Sequence, residues 1–409
     1  MDGTGRAGFA AELARRRADA GLSLADVAVA AHVARGYVHH VEHGRRWPSR
    51  GVARALDAAL DASGALLAAW EVAAAAVTPA SAAPDEMERF ERALADPRRT
   101  DPAVVEHLRR MLAEQRRAED VLGARLLLPP VLAQVGVIDA MAWDARGPVR
   151  RELLEVGSHY RQFAAWMHQD RMDRVGATGH YDRALEAAQE IGDHDMITSV
   201  LSLKSHLAWS AGDAGRAVGL AQAGQREPGR VSDAVLALIA QQEARGHALD
   251  GAAEAAERAL DRSAALTYAA AEHPEDAPPW VYFAGPDRLA FQRGVAYVEL
   301  GRHGDAVPLL ATALSALGDG YDRDRARYAA LLALALAGTG ADDAAVVQAA
   351  RAAELAVRTG SALAARELRR VRDALRTREA DRAVAELDEH LRSLIDCASR
   401  QGGSGERPA

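Results

Sequence analysis

Cysteine is almost absent from this chain of 409 residues, in which Cys397 is the only one. An intrachain disulfide needs two cysteines and a multi-cysteine zinc site needs more, so both are excluded. No apolar run reaches the roughly 18–20 residues of a membrane span, and residues 1–18 lack the apolar core of a signal peptide. We therefore expect a cytoplasmic protein with no membrane segment.

Aromatic residues are also scarce, at 5% of the chain against 49% for all hydrophobic residues. Alanine-rich runs such as 73–76, 252–256 and 329–337 take their place, and this composition favours helix over sheet. The chain is too long for one ordinary core, so it should hold several domains or a small domain joined to a repeat array. We predict an all-α fold.

The residue patterns of catalysis and cofactor binding are missing. The glycine-rich residues 318–320 lack the Lys-Ser/Thr pair of a phosphate-binding loop. His39 and His40 are adjacent rather than four residues apart, as a helical metal pair would be. His194 and His206 have carboxylates nearby in sequence but no nucleophile or further ligand. We expect no enzymatic activity, no metal and no cofactor.

Charge is distributed unevenly along the chain, whose net charge is −8. Residues 1–70 contain nine Arg and seven Asp or Glu, a net charge of +2, and the remaining 339 residues carry −10. A basic N-terminal domain on an acidic body can dock on phosphates through that domain alone.

The N-terminal residues predict four short helices in close succession, each with its own punctuation. Gly21 closes the first helix, and Ser23 with Asp26 forms a capping box for the second. Gly44 ends the third helix and Pro48 precedes the fourth. The predicted helices are Phe9–Ala20, Ser23–Ala30, Ala34–His43 and about Arg50–Ala62. Their apolar positions supply one compact core: Leu13, Leu24, Val27, Ala28, Val33, Val38, Val41, Val52, Leu56 and Leu60.

Two segments within these helices resemble the lambda-repressor-like (XRE) helix-turn-helix family. The segments are residues 21–28, Gly-Leu-Ser-Leu-Ala-Asp-Val-Ala, and residues 33–49, which end in the family-specific pattern Val-Glu-x-Gly-x-x-x-Pro-Ser. The resemblance covers about 55 residues. It implies sequence-specific binding to double-stranded operator DNA, with the third helix in the major groove.

The resemblance assigns roles to the residues of the third helix. Side chains near its N-terminal half should meet base edges, where an arginine can pair bidentately with guanine. Val38 and Val41 should point inward, and Glu42 should tie this helix to its neighbours. The candidate base-reading residues are Arg35, Gly36, Tyr37, His39 and His40, and the candidate phosphate contacts are Arg45 and Arg46.

Two positions depart from the family pattern. Leu24 stands where many relatives have a glutamine that helps to clamp the DNA backbone. Ala34 replaces the usual Ser or Thr cap of the third helix, at a cost of roughly 1 kcal/mol. These departures leave open a second interpretation, in which the motif is kept only for packing or dimerisation.

A segment rich in Pro, Ala and Ser follows the N-terminal domain and predicts a linker. We divide the chain into a helix-turn-helix domain (1–72), the linker (73–84), a transitional helical segment (85–149), a repeat domain (150–396) and a disordered tail (397–409). Within the transitional segment we predict helical stretches at Asp85–Leu94 and Pro102–Gly123, which lead to Leu126–Pro130 and a further helix to about Asp144.

From about residue 150 the chain repeats itself, with a glycine in each predicted turn. The turn glycines are Gly176, Gly212, Gly246, Gly301 and Gly338, at spacings of 36, 34, 55 and 37 residues. Three of these spacings are close to the roughly 34-residue period of tetratricopeptide repeats. The spacing of 55 predicts an insertion, which contains the proline-rich residues 273–280.

Small residues lie five positions after three glycines, where paired helices must approach closely: Ala217, Ala306 and Ala345. The series resembles a tetratricopeptide-repeat superhelix with a concave inner face. Together with the XRE domain, it resembles a class of bacterial regulators that includes peptide-responsive quorum-sensing receptors. That resemblance implies a peptide or small-molecule effector in the concave face, which shifts DNA affinity.

Candidate effector-binding residues are polar and aromatic side chains at helical spacing. They are Tyr160, Gln162, Trp166, Gln169, Lys204, Trp209, Gln292, Arg293, Arg325 and Tyr328. The alternative is that Trp166 and Trp209 only pack between helices. Lys204 is the single lysine of the chain, so it is either retained for a function or a chance residue on a solvated face.

We expect a homodimer, because one helix-turn-helix domain buries little DNA surface and paired half-sites are the usual solution. The C-terminal helices Ala362–Leu375 and Ala383–Ile395 are candidates for its interface. A function of another class also fits the sequence: a scaffold that binds a partner protein through the repeat groove.

Overall fold

The computed structural model of the chain describes residues 3–43, 48, 50–75, 89, 92–93 and 100–402. It is 84% helical, and no β-strand occurs among these residues. The all-α prediction is confirmed. Most of the predicted linker and of the predicted helix Asp85–Leu94 lies outside the described residues, as do Gly44, Arg45 and Arg46.

Five helices form the N-terminal domain. They are α1 (Gly3–Asp19), α2 (Leu24–Ala30), α3 (Arg35–Glu42), α4 (Arg50–Ala59) and α5 (Ala65–Ala75). Helix α1 packs on α3 and α5, α2 packs on α3 and α4, and α4 packs on α5. Seven of the ten predicted core residues are buried, and Leu24, Val33 and Val52 are half-buried. Phe9, Leu66 and Trp70 complete the core.

Residues 100–402 form fourteen further α-helices. They are α6 (Pro102–Leu122), α7 (Ala124–Asp144), α8 (Gly147–Asp170), α9 (Arg174–Ile191), α10 (His194–Ser210), α11 (Ala214–Gly224), α12 (Asp233–Leu249), α13 (Ala253–Glu272), α14 (Leu289–Glu299), α15 (His303–Ala316), α16 (Asp322–Thr339), α17 (Asp342–Thr359), α18 (Ala362–Thr377) and α19 (Asp381–Gly402).

The chain divides into two compact units. The first comprises Met1–Gln115, Leu127–Ala164 and Glu186–Gly192, and the second comprises Arg116–Leu126, Ala165–Leu185 and Asp193–Ala409. Within the second unit, Arg323 joins α16 to the end of α6 through ion pairs with Glu119 and Asp120. The domain boundaries drawn from the sequence stay predictions.

Helix α7 differs from its prediction in two ways. Pro129 and Pro130 lie inside it, so the predicted break after residue 130 does not occur. Each proline removes a backbone donor, but the buried Val131, Val135 and Ile138 hold the segment in one helix by packing. By length and composition the helix could also cross a membrane, which the sequence analysis overlooked; 56% of its most apolar window is buried inside the protein.

The second unit contains five successive helix pairs, α10/α11, α12/α13, α14/α15, α16/α17 and α18/α19. The first helices of successive pairs pack on each other, and each second helix packs against a first helix. The second helices begin 39, 50, 39 and 39 residues apart. The regular interval therefore exceeds the roughly 34 residues of a tetratricopeptide repeat. A helical repeat region is present, and its assignment to that repeat type stays a prediction.

Three of the five predicted turn glycines lie inside helices instead: Gly176 in α9, Gly246 in α12 and Gly338 in α16. A Cβ atom at any of the three would collide with a neighbouring side chain, which at Gly246 and Gly338 belongs to another helix. A Cβ atom on Gly246 would lie 2.8 Å from Cγ2 of Val218. Gly212 and Gly301 do lie in turns, with φ of +80° and +72°. The period derived from all five glycines was therefore wrong.

Other features of the repeat prediction are confirmed. Ala217, Ala306 and Ala345 are all fully buried. The longest interval contains the expected insertion between α13 and α14, which forms 3-10 turns at Pro274–Asp276, Pro279–Val281 and Pro286–Arg288. At the C-terminus, α19 continues to Gly402, six residues into the predicted disordered tail, because no helix-breaking residue precedes that glycine.

Candidate DNA interface

Helix α3 has one buried face and one exposed face. Val38 and Val41 are 0% and 1% exposed and point into the domain core, as predicted. Arg35, Gly36 and His40 are exposed. The two remaining candidate base readers, Tyr37 and His39, are half-buried. The exposed residues therefore form one surface of a short helix whose other face is fixed by packing.

Arg35 is the first residue of α3. Within the part of the chain that the structure describes, its guanidinium forms no hydrogen bond and no ion pair. A Cβ atom added to the neighbouring Gly36 would meet nothing within 4 Å. The N-terminal end of α3 thus presents a free, permanently charged donor group beside open space, which is what bidentate recognition of a base requires.

The other end of α3 carries three histidines. The ring centroids of His39 and His43 are 4.1 Å apart, and those of His39 and His40 are 5.7 Å apart. Nδ1 of His43 lies 2.8 Å from the carbonyl oxygen of His39, which leaves the His43 ring to close the helix end. His40 and His43 are both exposed, and His40 has no such contact with the helix backbone, so its ring can reach outward.

An ion pair holds α3 against α1. Nη2 of Arg17 lies 2.6 Å from Oε1 of Glu42, and Nη1 of Arg17 donates to the carbonyl oxygen of Leu22 at 3.0 Å. The Glu42 side chain is only 6% exposed. Its expected structural role is confirmed, and its partner Arg17 was not predicted from the sequence. Such a pair fixes the orientation of the exposed face of α3.

The two helix starts differ as the sequence predicted. Ser23 Oγ accepts from the backbone N–H of Asp26, and the Asp26 carboxylate accepts from the N–H of Ser23, so the capping box of α2 is formed. These hydrogen bonds lower the pKa of Asp26. Ala34 caps α3 without a side-chain hydrogen bond. Leu24 begins α2 and has no polar group to offer a phosphate.

A fifth helix, which the sequence analysis did not predict, completes the domain. Asp57 caps α5 by accepting from the backbone N–H groups of Gly64 and Leu66, both at 2.8 Å. The indole Nε1 of Trp70 donates to the carbonyl oxygen of Pro48 at 2.8 Å. The residues Asp61-Ala-Ser63-Gly64, followed by an apolar run, could have predicted this helix from the sequence.

This arrangement of α1–α5 is a helix-turn-helix DNA-binding domain. Residues 9–70 match the family model described as a helix-turn-helix domain, which spans the segment from Phe9 to the buried Trp70. A comparison of the whole chain with curated proteins finds no match.

The ten candidate effector residues do not form one group. Tyr160 and Gln162 belong to the first compact unit. Tyr160 is fully buried, and its hydroxyl donates to the carbonyl oxygen of Leu108 at 3.0 Å. The other eight residues belong to the second unit.

Three of those eight are charged residues that form ion pairs or hydrogen bonds within the protein. Nζ of Lys204 pairs with Asp182 at 2.5 Å, and its side chain is 15% exposed. Arg293 pairs with Glu257 and Asp261. Arg325 donates to the carbonyl oxygens of Leu317 and Gly318. These interactions give each charged group a structural partner.

The remaining five form hydrogen bonds or ring contacts with other side chains of the second unit. Gln169 contacts His206, which stacks on Trp209 at a centroid distance of 5.2 Å, with Trp166 at 6.1 Å from the same imidazole. Gln292 accepts from Arg245 at 2.5 Å. Tyr328 stacks on Phe291 with centroids 3.5 Å apart. Within the described residues, no group of three or more His, Cys, Asp or Glu is arranged for a metal ion.

Proposed function

We propose that this protein is a sequence-specific transcriptional regulator of the XRE type, acting as a non-enzymatic homodimer in the cytoplasm. In this proposal α3 enters the major groove of operator DNA, and Arg35, Gly36, Tyr37, His39 and His40 meet base edges. Arg45 and Arg46 contact phosphates. The repeat region binds a small effector that changes DNA affinity.

The observation that supports base reading most strongly is that the Arg35 guanidinium has no partner among the described residues. Arg35 stands at the start of an exposed helix face whose orientation the Arg17–Glu42 ion pair fixes. Arg17, which serves the fold, pairs with Glu42. Arg35 has no such partner among the described residues, so its guanidinium is available to guanine.

A DNA-binding assay with the region upstream of the coding sequence tests this function. Each of the variants Arg35→Ala and His40→Ala should weaken specific binding by about 1–3 kcal/mol, which is about 5- to 150-fold, with little change on unrelated DNA. Arg369→Ala is the matched control, because it removes the same charge from an exposed position of α18.

Two results would contradict the proposal. If the wild-type protein shifts no upstream fragment in preference to unrelated DNA, sequence-specific regulation is wrong. If Arg35→Ala weakens binding to all DNA alike, Arg35 contacts phosphate rather than base.

In this proposal two chains bind one operator as a dimer. A single domain of this size buries too little DNA for tight specific binding, whereas two domains on paired half-sites bury enough. Sedimentation velocity at micromolar concentration should show a dimer on operator DNA. A single protein chain per operator would overturn this part.

A further inference from the structure

Five side chains, one from each first helix of the repeat region, meet at a single place. They are Trp209 on α10, Arg245 on α12, Gln292 on α14, Arg327 on α16 and Arg366 on α18. The Cζ atoms of the three arginines lie 5.4, 5.9 and 5.7 Å from the Trp209 ring centroid. We call these three residues the arginine cluster. None of the three arginines was predicted from the sequence, whereas Trp209 and Gln292 were.

None of the three guanidinium groups forms an ion pair with a carboxylate of the described chain. Arg245 donates only to the amide oxygens of Gln242, at 3.2 Å, and Gln292, at 2.5 Å. Arg327 donates to Nε2 of His206 at 3.0 Å, which requires a neutral imidazole. Nη1 of Arg366 is buried without any partner. Every partner that the cluster does have is therefore uncharged.

Two arginines one helical turn away from the cluster do have carboxylate partners. Arg370 lies one helical turn after Arg366 and binds both Glu299 and Glu367. Arg323 lies one turn before Arg327 and binds Glu119 and Asp120. Glu299, Glu367, Glu119 and Asp120 are thus engaged by Arg370 and Arg323. Asp170 accepts from Ser361 Oγ through Oδ1, its Oδ2 is buried without a hydrogen-bond partner, and no ion pair joins it to the arginine cluster.

The electrostatics of the cluster reflect this excess of positive charge. Burial, followed by the charge of Arg327, lowers the pKa of Arg245 to about 9. Burial and the three arginines hold the pKa of His206 well below its usual value. Carboxylates act in the opposite direction: Glu299 and Glu367 on Arg245, and Glu367, Asp324 and Asp170 on Arg327. The pKa of both arginines is nevertheless lowered.

Three buried polar atoms at this place have no hydrogen-bond partner, and all three are donors. They are Nε1 of Trp209, Nε of Arg245 and Nη1 of Arg366. Trp209 and Arg245 are only 2% and 4% exposed. A buried donor without a partner costs about 1–3 kcal/mol, so three together favour a group that only accepts hydrogen bonds. Arg327 and Arg366 are half-buried, so the cluster reaches solvent.

We propose that the arginine cluster binds a small organic anion, whose carboxylate or phosphate group contacts Arg245, Arg327 and Arg366. The indole of Trp209 supplies a further donor and an apolar wall for the rest of the ligand. This inference rests on the proposed effector function and names the chemistry of the effector. Because the three arginines come from three different helices, a bound anion joins α12, α16 and α18 by cancelling their mutual repulsion.

The experiment uses the full-length protein and four probes: citrate, inorganic pyrophosphate, and trialanine with either a free or an amidated C-terminus. Binding is measured by calorimetry and by thermal unfolding, with sodium chloride at matched ionic strength as the reference. At least one probe should bind and raise the unfolding temperature. Arg366→Gln should weaken that binding at least tenfold, and the exposed control Arg369→Gln should not.

The unfolding temperature without a probe separates a binding site from a structural cluster. Arg366 has a buried donor without a partner and repels its neighbours, so Arg366→Gln should unfold no lower than the wild type. Binding of the free-acid peptide but not of the amide identifies a peptide terminus as the ligand group, and binding of citrate or pyrophosphate alone identifies a metabolite. No response to any probe, or equal responses of the wild type and Arg366→Gln, overturns the site.

Operator affinity measured on the same samples distinguishes this inference from the proposed function. If the anion binds but leaves DNA affinity unchanged, the site stands and the effector function is wrong. If no anion binds while operator binding is intact, the site is wrong and DNA recognition stands.

Discussion

One arginine without a carboxylate partner lies at the surface of the N-terminal domain, and another is buried in the repeat region. In the N-terminal domain, Arg35 has no partner among the described residues and lies on the surface, where water solvates its charge. In the repeat region, Arg245 has no carboxylate partner and is 4% exposed. Leaving a charge at the surface costs little, whereas burying one requires compensation. The exposed arginine therefore suits a large polyanion that docks from outside, and the buried one suits a small anion.

Carboxylates show the same contrast through their pKa values. Glu12 in α1 accepts from Arg15 and Arg16, and these hydrogen bonds lower its pKa to about 2. Glu119, in the second compact unit, has its pKa raised to about 7 by burial, although Arg323 acts against this shift. Surface pairing thus favours the charged form in one region, and desolvation disfavours it in the other.

The largest expected change in stability is that of a Trp209 variant, which tests whether burial distinguishes the two regions. The residue is 2% exposed and belongs to the apolar core of the helix pairs as well as to the arginine cluster. Trp209→Ala should lower the free energy of unfolding of the repeat region by about 3–5 kcal/mol, because the cavity adds to the lost burial. Urea denaturation followed by circular dichroism measures it. Trp143→Ala is the control, since Trp143 is 78% exposed and its loss should change stability by less than about 0.5 kcal/mol.

A loss of less than about 1 kcal/mol in Trp209→Ala would contradict this prediction. Trp209 would then be a wall of a ligand site without a structural role, and the two regions would differ less than their burial indicates.

A second, smaller effect is expected from the pH dependence of stability through Glu119. Its pKa is about 7 when folded and near 4.5 when unfolded, so between these values the folded chain holds a proton that the unfolded chain has lost. Stability from this group is therefore fully present below about pH 4.5, falls as pH rises to about 7 and stays constant above it. The wild type should lose about 1–3 kcal/mol more than Glu119→Gln between pH 5 and pH 7.5.

Urea midpoints at several pH values measure this difference. Asp120 and Asp170 also have raised pKa values, and their charges act on Glu119, so the difference between the two proteins reports the titration of Glu119 together with its effect on these two groups. Glu254→Gln is the matched control, because the Glu254 side chain is 93% exposed. Parallel profiles for the wild type and Glu119→Gln would show that Arg323 outweighs burial.

Most of the N-terminal domain was predictable because its determinants are local. The capping box of Ser23 and Asp26, the left-handed Gly21 and the inward Val38 and Val41 all follow from spacings of a few residues. The Arg17–Glu42 pair was not predictable from such patterns, because its members are 25 residues apart. Only the fold brings them together.

The repeat region was predictable as a series of helix pairs, but not in its period or its site. A glycine that closes a turn and a glycine that allows two helices to cross look alike in sequence, so Gly246 was assigned to a turn although it lies within α12. The arginine cluster was missed for a related reason. Arg245, Arg327 and Arg366 stand among many arginines, and only the distances to Trp209 separate them from those that pair with carboxylates.

The smallest expected effect concerns the starts of α2 and α3, where one helix has a side-chain cap and the next does not. Ser23→Ala removes the cap of α2 and should lower the stability of that helix by about 1 kcal/mol. Ala34→Ser should raise the stability of α3 by about 0.5–1 kcal/mol, because the backbone of Ala34, at φ −71° and ψ 142°, already suits a cap.

Hydrogen exchange of the full chain resolves the two helices separately. Amides of α2 should exchange about fivefold faster in Ser23→Ala, and those of α3 about two- to fivefold slower in Ala34→Ser. Ala25→Ser, at an exposed position inside α2, controls for the lower helix propensity of serine and should bring no slowing. Unchanged exchange in Ala34→Ser would mean that the start of α3 is held by the packing of Val38 and Val41 alone, and the two helix starts would then differ in composition but not in stability.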